Sequence, residues 1–206
     1  FTKLIEKLGL TAETAHQALA EKPSDFTVTV EQVTAPEQAE RLIQQWRQAD
    51  HVTVYGLSDL SALVVSCETG EDSSLAVELY VNRYEGGWHD LLTALFSGDI
   101  KKVSHNVKDM MRALLEQGLP AEGFVFDTAL AAYLLDATAG SYDLPRLFVA
   151  YYNEELPKPA HLAPEAFTSL LGEDGEAQAS LLSYTAAVSA LHETLRPKLA
   201  ERHVER

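Results

Sequence analysis

The feature that most constrains this chain is the alternation of strand and helix patterns from Lys101 to Leu135. A short apolar strand, Lys101–His105, is followed by a helix over Val107–Gln117, a second strand over Phe124–Phe126 and a second helix over Thr128–Leu135. Strands separated by a helix are joined by crossovers, so they lie parallel in one sheet with the helices on its faces. The three β-rich runs before them, His51–Leu57, Ala62–Glu68 and Leu75–Val81, are separated only by Ser58-Asp59-Leu60-Ser61 and Gly70-Glu71-Asp72-Ser73. Connections that short, rich in turn formers, imply an antiparallel meander. The expected architecture is therefore α/β: a mixed sheet of three antiparallel strands and then parallel ones, flanked by helices.

The flanks extend this frame. Phe26, Val28 and Val30 alternate with Thr27, Thr29 and Glu31, the period of a half-buried strand. After Pro36, Ala39, Leu42, Ile43 and Trp46 recur at helical spacing. A helix is expected over Trp88–Phe96, and the last third reads as helical: Asp143–Tyr151, Pro164–Leu171, and a long Glu176–Glu201 helix interrupted or bent at Pro197. Residues 1–24 read as a polar helical lead-in ended by Pro23-Ser24, so a division into that lead-in and a main domain over 25–206 is expected. A chain of 206 residues suits one α/β domain with a short appendage.

Composition removes several classes. No apolar run approaches the length of a membrane span, and the first residues, beginning Phe1-Thr2-Lys3 without an initiator Met, lack a signal core, so no membrane partner and a segment of a longer chain are expected. One cysteine, Cys67, excludes an internal disulfide and a Cys-based zinc cluster, and a reducing, cytoplasmic setting is expected. Lysine and arginine total 16 against 31 acidic residues, a net charge of −15, and residues 51–100 hold Arg83 as their only basic residue. Such a surface repels nucleic acid. Lys101, Lys102, Lys108 and Arg112 interrupt this acidity, either as a solvated helix face or as weak nucleic-acid contacts. There is no Gly-rich phosphate loop, and His192-Glu193 has no second histidine at helical spacing. Gly56-Leu57-Ser58-Asp59 lacks the glycine that would close a nucleophile elbow. Cys67 reads as a small buried hydrophobe, and Asp127 as the N-cap of the helix over 128–135.

Val103-Ser104-His105-Asn106-Val107-Lys108 and Phe126-Asp127-Thr128-Ala129-Leu130-Ala131-Ala132-Tyr133-Leu134-Leu135-Asp136, in this order and spacing, resemble the 3′–5′ exonuclease domain of bacterial DNA polymerase I. Asp143-Leu144-Pro145-Arg146-Leu147 is similar to that family's Asp-(Leu or Met)-Asp-Ser-Leu helix start, with Pro145 and Arg146 departing from it. Residues 1–10 are similar to the segment that follows the 5′-nuclease domain, and Leu195–Arg206 runs toward where a polymerase domain would begin. The resemblance implies a ribonuclease-H-like fold, in agreement with the mixed sheet read from the pattern alone.

In active members of this family two divalent metals, about 3.5–4 Å apart, activate water and stabilise the leaving oxygen, and such hard cations require carboxylates. The family supplies the first pair from Asp-x-Glu on a strand; the corresponding positions here are Gly56 and Ser58. Its second motif, Asn-x-Lys-Tyr-Asp, corresponds to Asn106-Val107-Lys108-Asp109-Met110, which puts Met110 at the ligand position and Asp109 one residue early, turned about 100° away on a helix. Its third, Tyr-x-x-x-Asp, is matched by Leu181 and Thr185. Whatever the register there, no Asp or Glu lies between Glu176 and Glu193.

With four carboxylates replaced, the expectation is a degenerate domain without catalytic residues or a divalent cofactor. It would serve as a structural spacer and packing partner of the polymerase and 5′-nuclease domains of the same parent chain, and meet DNA through that parent. Two alternatives remain: a single-strand nucleic-acid binding module using Lys101, Lys102, Lys108 and Arg112, and an active nuclease with a metal centre relocated to Asp59 or Asp109.

Overall fold

A computed structural model describes residues 27–167 and 174–204. The lead-in over 1–24 and the end of the helix expected at Pro164–Leu171 lie outside the described residues. Within them the order is β1 (Thr27–Val33), α1 (Pro36–Gln48), β2 (Val52–Gly56), β3 (Ala62–Gly70), β4 (Ser73–Tyr80), α2 (Trp88–Leu95), β5 (Lys102–Ser104), α3 (Val107–Glu116), β6 (Phe124–Asp127), α4 (Thr128–Leu135), α5 (Leu144–Tyr152), two 3-10 turns (Pro159–Leu162 and Pro164–Phe167) and α6 (Asp174–Val204). The six strands form one sheet in the order β1-β4-β3-β2-β5-β6. β2, β3 and β4 pair antiparallel, while β5 and β6 continue the sheet parallel to β2. β1 returns to the far edge, parallel to β4.

The sheet has two covered faces, and the side chains decide which helix lies on which. Leu42 and Trp46 of α1, Leu92 and Leu95 of α2 and Leu114 of α3 join Val52, Val54, Leu63 and Val77 in one core. On the other face Leu191 and Leu195 of α6 pack with Ala131 and Ala132 of α4 and Leu147 and Phe148 of α5. Leu181 and Leu182, earlier on α6, cover Leu57, Val64 and Ala76. The central strands are apolar on both sides because both faces are buried. Cys67 is buried in the first core.

Helix starts follow local chemistry. Pro36 stands at the start of α1, Asp127 caps α4 by accepting from the Ala129 N–H, and Asp143 caps α5 by accepting from the Arg146 N–H. Of the two outcomes expected at Pro197, interruption does not occur: α6 continues through it. The carbonyl deprived of its partner belongs to Glu193, which, like Pro197, faces solvent where water can satisfy it, while Leu195 remains fully buried. Among the described residues no helix is long and apolar enough to cross a membrane.

Candidate functional site

Because β2 and β5 are parallel, their carboxyl ends open on the same side of the sheet, the usual position of a ligand crevice in such folds. A cleft of about 490 Å³ lies there. Its floor is the end of β2 and the turn after it (Tyr55, Gly56, Leu57, Ser58 and Leu60), and one wall is the start of α3 (His105, Asn106, Asp109, Met110, Ala113). The start of α5 (Asp143, Leu144, Pro145), the first 3-10 turn (Pro159, Leu162) and Tyr184 of α6 complete it. Gly56 and Ser58 at the end of β2 and the distant Met110 at the start of α3 are thus brought into one cleft.

The packing around Gly56 has closed over the space a side chain would need. Gly56 is the cross-strand partner of Leu63, and a Cβ on Gly56 would lie 2.8 Å from Leu63 Cδ2 and 3.2 Å from the Ala62 carbonyl oxygen. Leu63 is itself fully buried, so it has little freedom to retreat. Beside it, the Ser104 hydroxyl donates to the Val54 carbonyl at 2.6 Å and lies 3.9 Å from Met110 Sδ. A thioether at this position is a soft, neutral group.

Two acids do reach the cleft, and each is engaged. Asp109, expected to point elsewhere, lines its rim, because the helix has only just begun and the first turn projects past the strand end. Its carboxylate accepts from Asn106 Nδ2 at 2.5 Å and from Arg112 Nη2 at 2.9 Å. Asp143 accepts from the Arg146 N–H at 3.0 Å and from the Ser141 hydroxyl at 2.5 Å. Burial raises its pKa, but the Ser141 and Arg146 hydrogen bonds outweigh this and hold the carboxyl below its usual range. Asp59 is not on the cleft; it closes a local turn by accepting from the Ser61 N–H and hydroxyl at 3.0 and 2.6 Å. Among the described residues no three His, Cys, Asp or Glu side chains converge as a metal site would require.

The neutral groups of the cleft are held in place by burial. The His105 imidazole lies 2.8 Å from the Thr128 hydroxyl, and desolvation, against the charges of Asp127 and Asp143, lowers its pKa to about 4. Tyr55 and Tyr184 meet with ring centroids 5.6 Å apart. Burial raises the Tyr55 phenol to about 12 and pushes Tyr184 further still, with the Tyr184 hydroxyl donating to the Pro157 carbonyl at 2.7 Å.

Leu181 and Thr185, matched to the third motif from the sequence, do not reach the cleft. Leu181 is fully buried against the sheet, and Thr185 bonds back to the Leu181 carbonyl at 2.8 Å. The residue of α6 that lines the cleft is Tyr184, three positions later and therefore on a neighbouring helical face. A Tyr-x-x-x pattern counted from Tyr184 ends on Val188, a fully buried core residue. Its signal was present in the sequence as the only tyrosine of this helix.

The basic cluster dissolves as well. Lys102 is completely buried and donates to the carbonyls of Leu95, Ser97 and Ile100 at 2.9, 2.9 and 2.5 Å. Lys101 and Lys102 stand at the amino end of β5, opposite the cleft, whereas Lys108 and Arg112 ride on α3, where Arg112 is paired with Asp109. The sequence reading of Lys102 as a nucleic-acid contact is therefore overturned: the turn that closes α2 leaves three carbonyls unpaired, and Lys102 satisfies them.

Residues 80–158 match the family described as DNA polymerase I, ribonuclease H-like domain. The resemblance read from the motifs is found again over that stretch, which includes His105 to Met110, Asp127 and Asp143. Among solved structures, the POL domain of Pol1 from M. smegmatis, in complex with DNA primer-template and dNTP, aligns with a TM-score of 0.60 at 23% identity, covering 83% of this chain. The chain spans 28% of that polymerase chain. The catalytic core of RRP6 from Trypanosoma brucei aligns with a TM-score of 0.60 at 15% identity over 98% of this chain and 56% of that one. The Aedes aegypti Nibbler EXO domain aligns at 0.57 with 10% identity, covering 82% and 89%. No curated protein matches the chain. The fold is thus that of the ribonuclease-H-like exonucleases, with the mixed sheet expected from the sequence.

Proposed function

We propose that this chain is an exonuclease-like domain of a DNA polymerase I that has lost metal-dependent cleavage and serves as a structural spacer and packing partner for the polymerase domain of its parent. The observation that carries the proposal is the cleft at the carboxyl ends of β2 and β5. Where the family would present carboxylates it offers Gly56, Ser58 and Met110, and the space beside Gly56 is occupied by Leu63. The donor set does not fit a pair of divalent metals, which bind through hard anionic oxygens. The two acids that remain, Asp109 and Asp143, are committed to Arg112 and to helix starts. A net charge of −15 and the dispersal of the basic residues argue against a role as a free-standing single-strand binder.

The test is a Mn²⁺ titration of the purified protein, followed by calorimetry and thermal melting, alongside incubation with single-stranded DNA. A functional site would stabilise the fold by about 2.7 kcal/mol at a hundredfold excess over its dissociation constant. The expected result is no saturable binding and no shortening of the DNA. Chelator-sensitive shortening would overturn the proposal, and its loss on removal of Asp109 or Asp59 would assign it to a relocated metal centre.

A further inference from the structure

α4 is built the wrong way round for a helix on a free surface. Its sequence, Thr-Ala-Leu-Ala-Ala-Tyr-Leu-Leu, holds no charge, and it turns the small Ala131 and Ala132 toward α6. The large Leu130, Tyr133 and Leu134, spaced to share one face, are 55%, 48% and 53% exposed. A helix apolar all round is a helix with a partner on both sides. Val125, on the edge strand that leads into α4, is 54% exposed at a point where the register between β5 and β6 shifts. In an acidic chain this uncharged face stands out.

The path of the chain says what covers it. Near the end of α6, Arg202 donates through Nη1 to the carbonyls of Leu134 (2.7 Å) and Leu135, so the last described turn of the protein is fixed against the final turn of α4. Whatever follows α6 leaves beside the exposed Leu134. On the reading proposed above the parent chain continues past α6, and the segment that follows would be the covalent neighbour with the highest local concentration at this face.

We propose that the Leu130, Tyr133 and Leu134 face of α4 is the docking surface for an apolar surface of the polymerase domain that follows α6 in the parent chain. This rests on the reading of the chain as a polymerase I domain. The surface complements the proposed spacer role, since a rigid spacer needs a fixed seat and not only a tether. Arg202 sets the exit direction, and the large apolar side chains supply the contact that a peptide linker alone lacks.

The experiment is thiol labelling in the full parent chain. Leu130→Cys and, as a control, Leu115→Cys, an equally apolar residue 64% exposed on α3, are each reacted with a maleimide. Native Cys67 is buried and sets the background. Protection of Leu130→Cys relative to Leu115→Cys by at least about tenfold, independent of concentration and lost on unfolding, is expected of an intramolecular interface. Equal rates overturn the inference, and so does protection that disappears on dilution, which would assign the face to a second copy. A parent chain that continues into no polymerase domain would instead overturn the functional reading itself. Leu130→Glu in the parent supplies a second measurement: the segment after α6 should become more sensitive to limited proteolysis, and unchanged sensitivity counts against the surface.

Discussion

The carboxylate of Asp127 holds Asn106 in place across two parallel strands: its Oδ1 accepts the Asn106 N–H at 2.9 Å. Oδ2 accepts the Val107 N–H at 3.0 Å, and Oδ1 also takes the Ala129 N–H at 2.9 Å. One side chain therefore fixes the starts of both α3 and α4, and with them the wall of the cleft. Asn106 sits in the left-handed region, φ 53°, a conformation that asparagine tolerates better than most residues. Asp127→Ala should cost more than a single cap, about 2–4 kcal/mol in urea denaturation, given about 1–2 kcal/mol for each cap lost. Asp127→Asn, which retains an acceptor, should recover a large part of it.

Lys102 and Gly123 form a second structural unit. Gly123 has φ +75°, and a Cβ there would lie 2.3 Å from the Ile100 carbonyl and 2.8 Å from Lys102 Nζ. Lys102→Met keeps the volume between the rings of Phe96 and Phe124 but leaves three carbonyls without a donor. A loss of about 3 kcal/mol or more is expected in denaturant melts, from about 1–3 kcal/mol per unsatisfied buried group. Gly123→Ala should destabilise through both its backbone and its contact. Neither change should alter the salt dependence of any DNA binding by the parent protein, because the ammonium faces no phosphate.

This lysine also marks the limit of what the sequence could reveal. Periodicity located all six strands and the helices between them, since alternation and helical spacing are local signals. Gly56, Ser58 and Met110 were found from motif spacing and do meet in one cleft. Lys102 was misread because its burial depends on carbonyls of Leu95 and Ser97, contributed by a separate turn. On α6 it is Tyr184 and not Leu181 that lines the cleft, a distinction an apolar helix without acids gives no internal landmark to make. Asp109 reached the cleft because the rotation argument ignored where the helix begins. Asp127 needed only local chemistry to be read as a cap, though its bond to Asn106 is a tertiary fact.

Acid should weaken the fold through two histidines. Desolvation holds both His105 and His192 at about 4, and His192 is packed edge-on between His51 and Phe126 with centroids 4.8 and 4.7 Å away. In the unfolded chain each titrates near 6.5, so below that pH the unfolded state binds more protons and stability falls as pH drops from 6.5 toward 4. The loss is about 3 kcal/mol for each residue at the lower end. Urea titrations at pH 7, 5.5 and 4.5 should show it, and His192→Phe should flatten the slope. An unchanged slope in that variant would mean His192 is more hydrated than its packing implies.

On the proposed reading, carboxylates introduced at Gly56 and Met110 should fail to create a metal site for a steric reason before an electrostatic one. In Gly56→Asp the new Cβ meets Leu63 Cδ2 at 2.8 Å, and Leu63 is wedged in the core with Val54 and Val77. Overpacking of this kind costs about 1–3 kcal/mol. Met110→Asp would add a second anion beside Asp109, whose pairing with Arg112 would then compete with any cation. The double variant Gly56→Asp/Met110→Asp is expected to melt at lower temperature than the parent and to gain no saturable Mn²⁺ stabilisation. Adding Leu63→Ala removes the clash while leaving the charge, and so separates the two effects. If the triple variant binds Mn²⁺ and the double does not, the packing of β3 against β2 is what excludes a metal there. If the double variant already binds, the scaffold holds a working geometry that lacks only ligands.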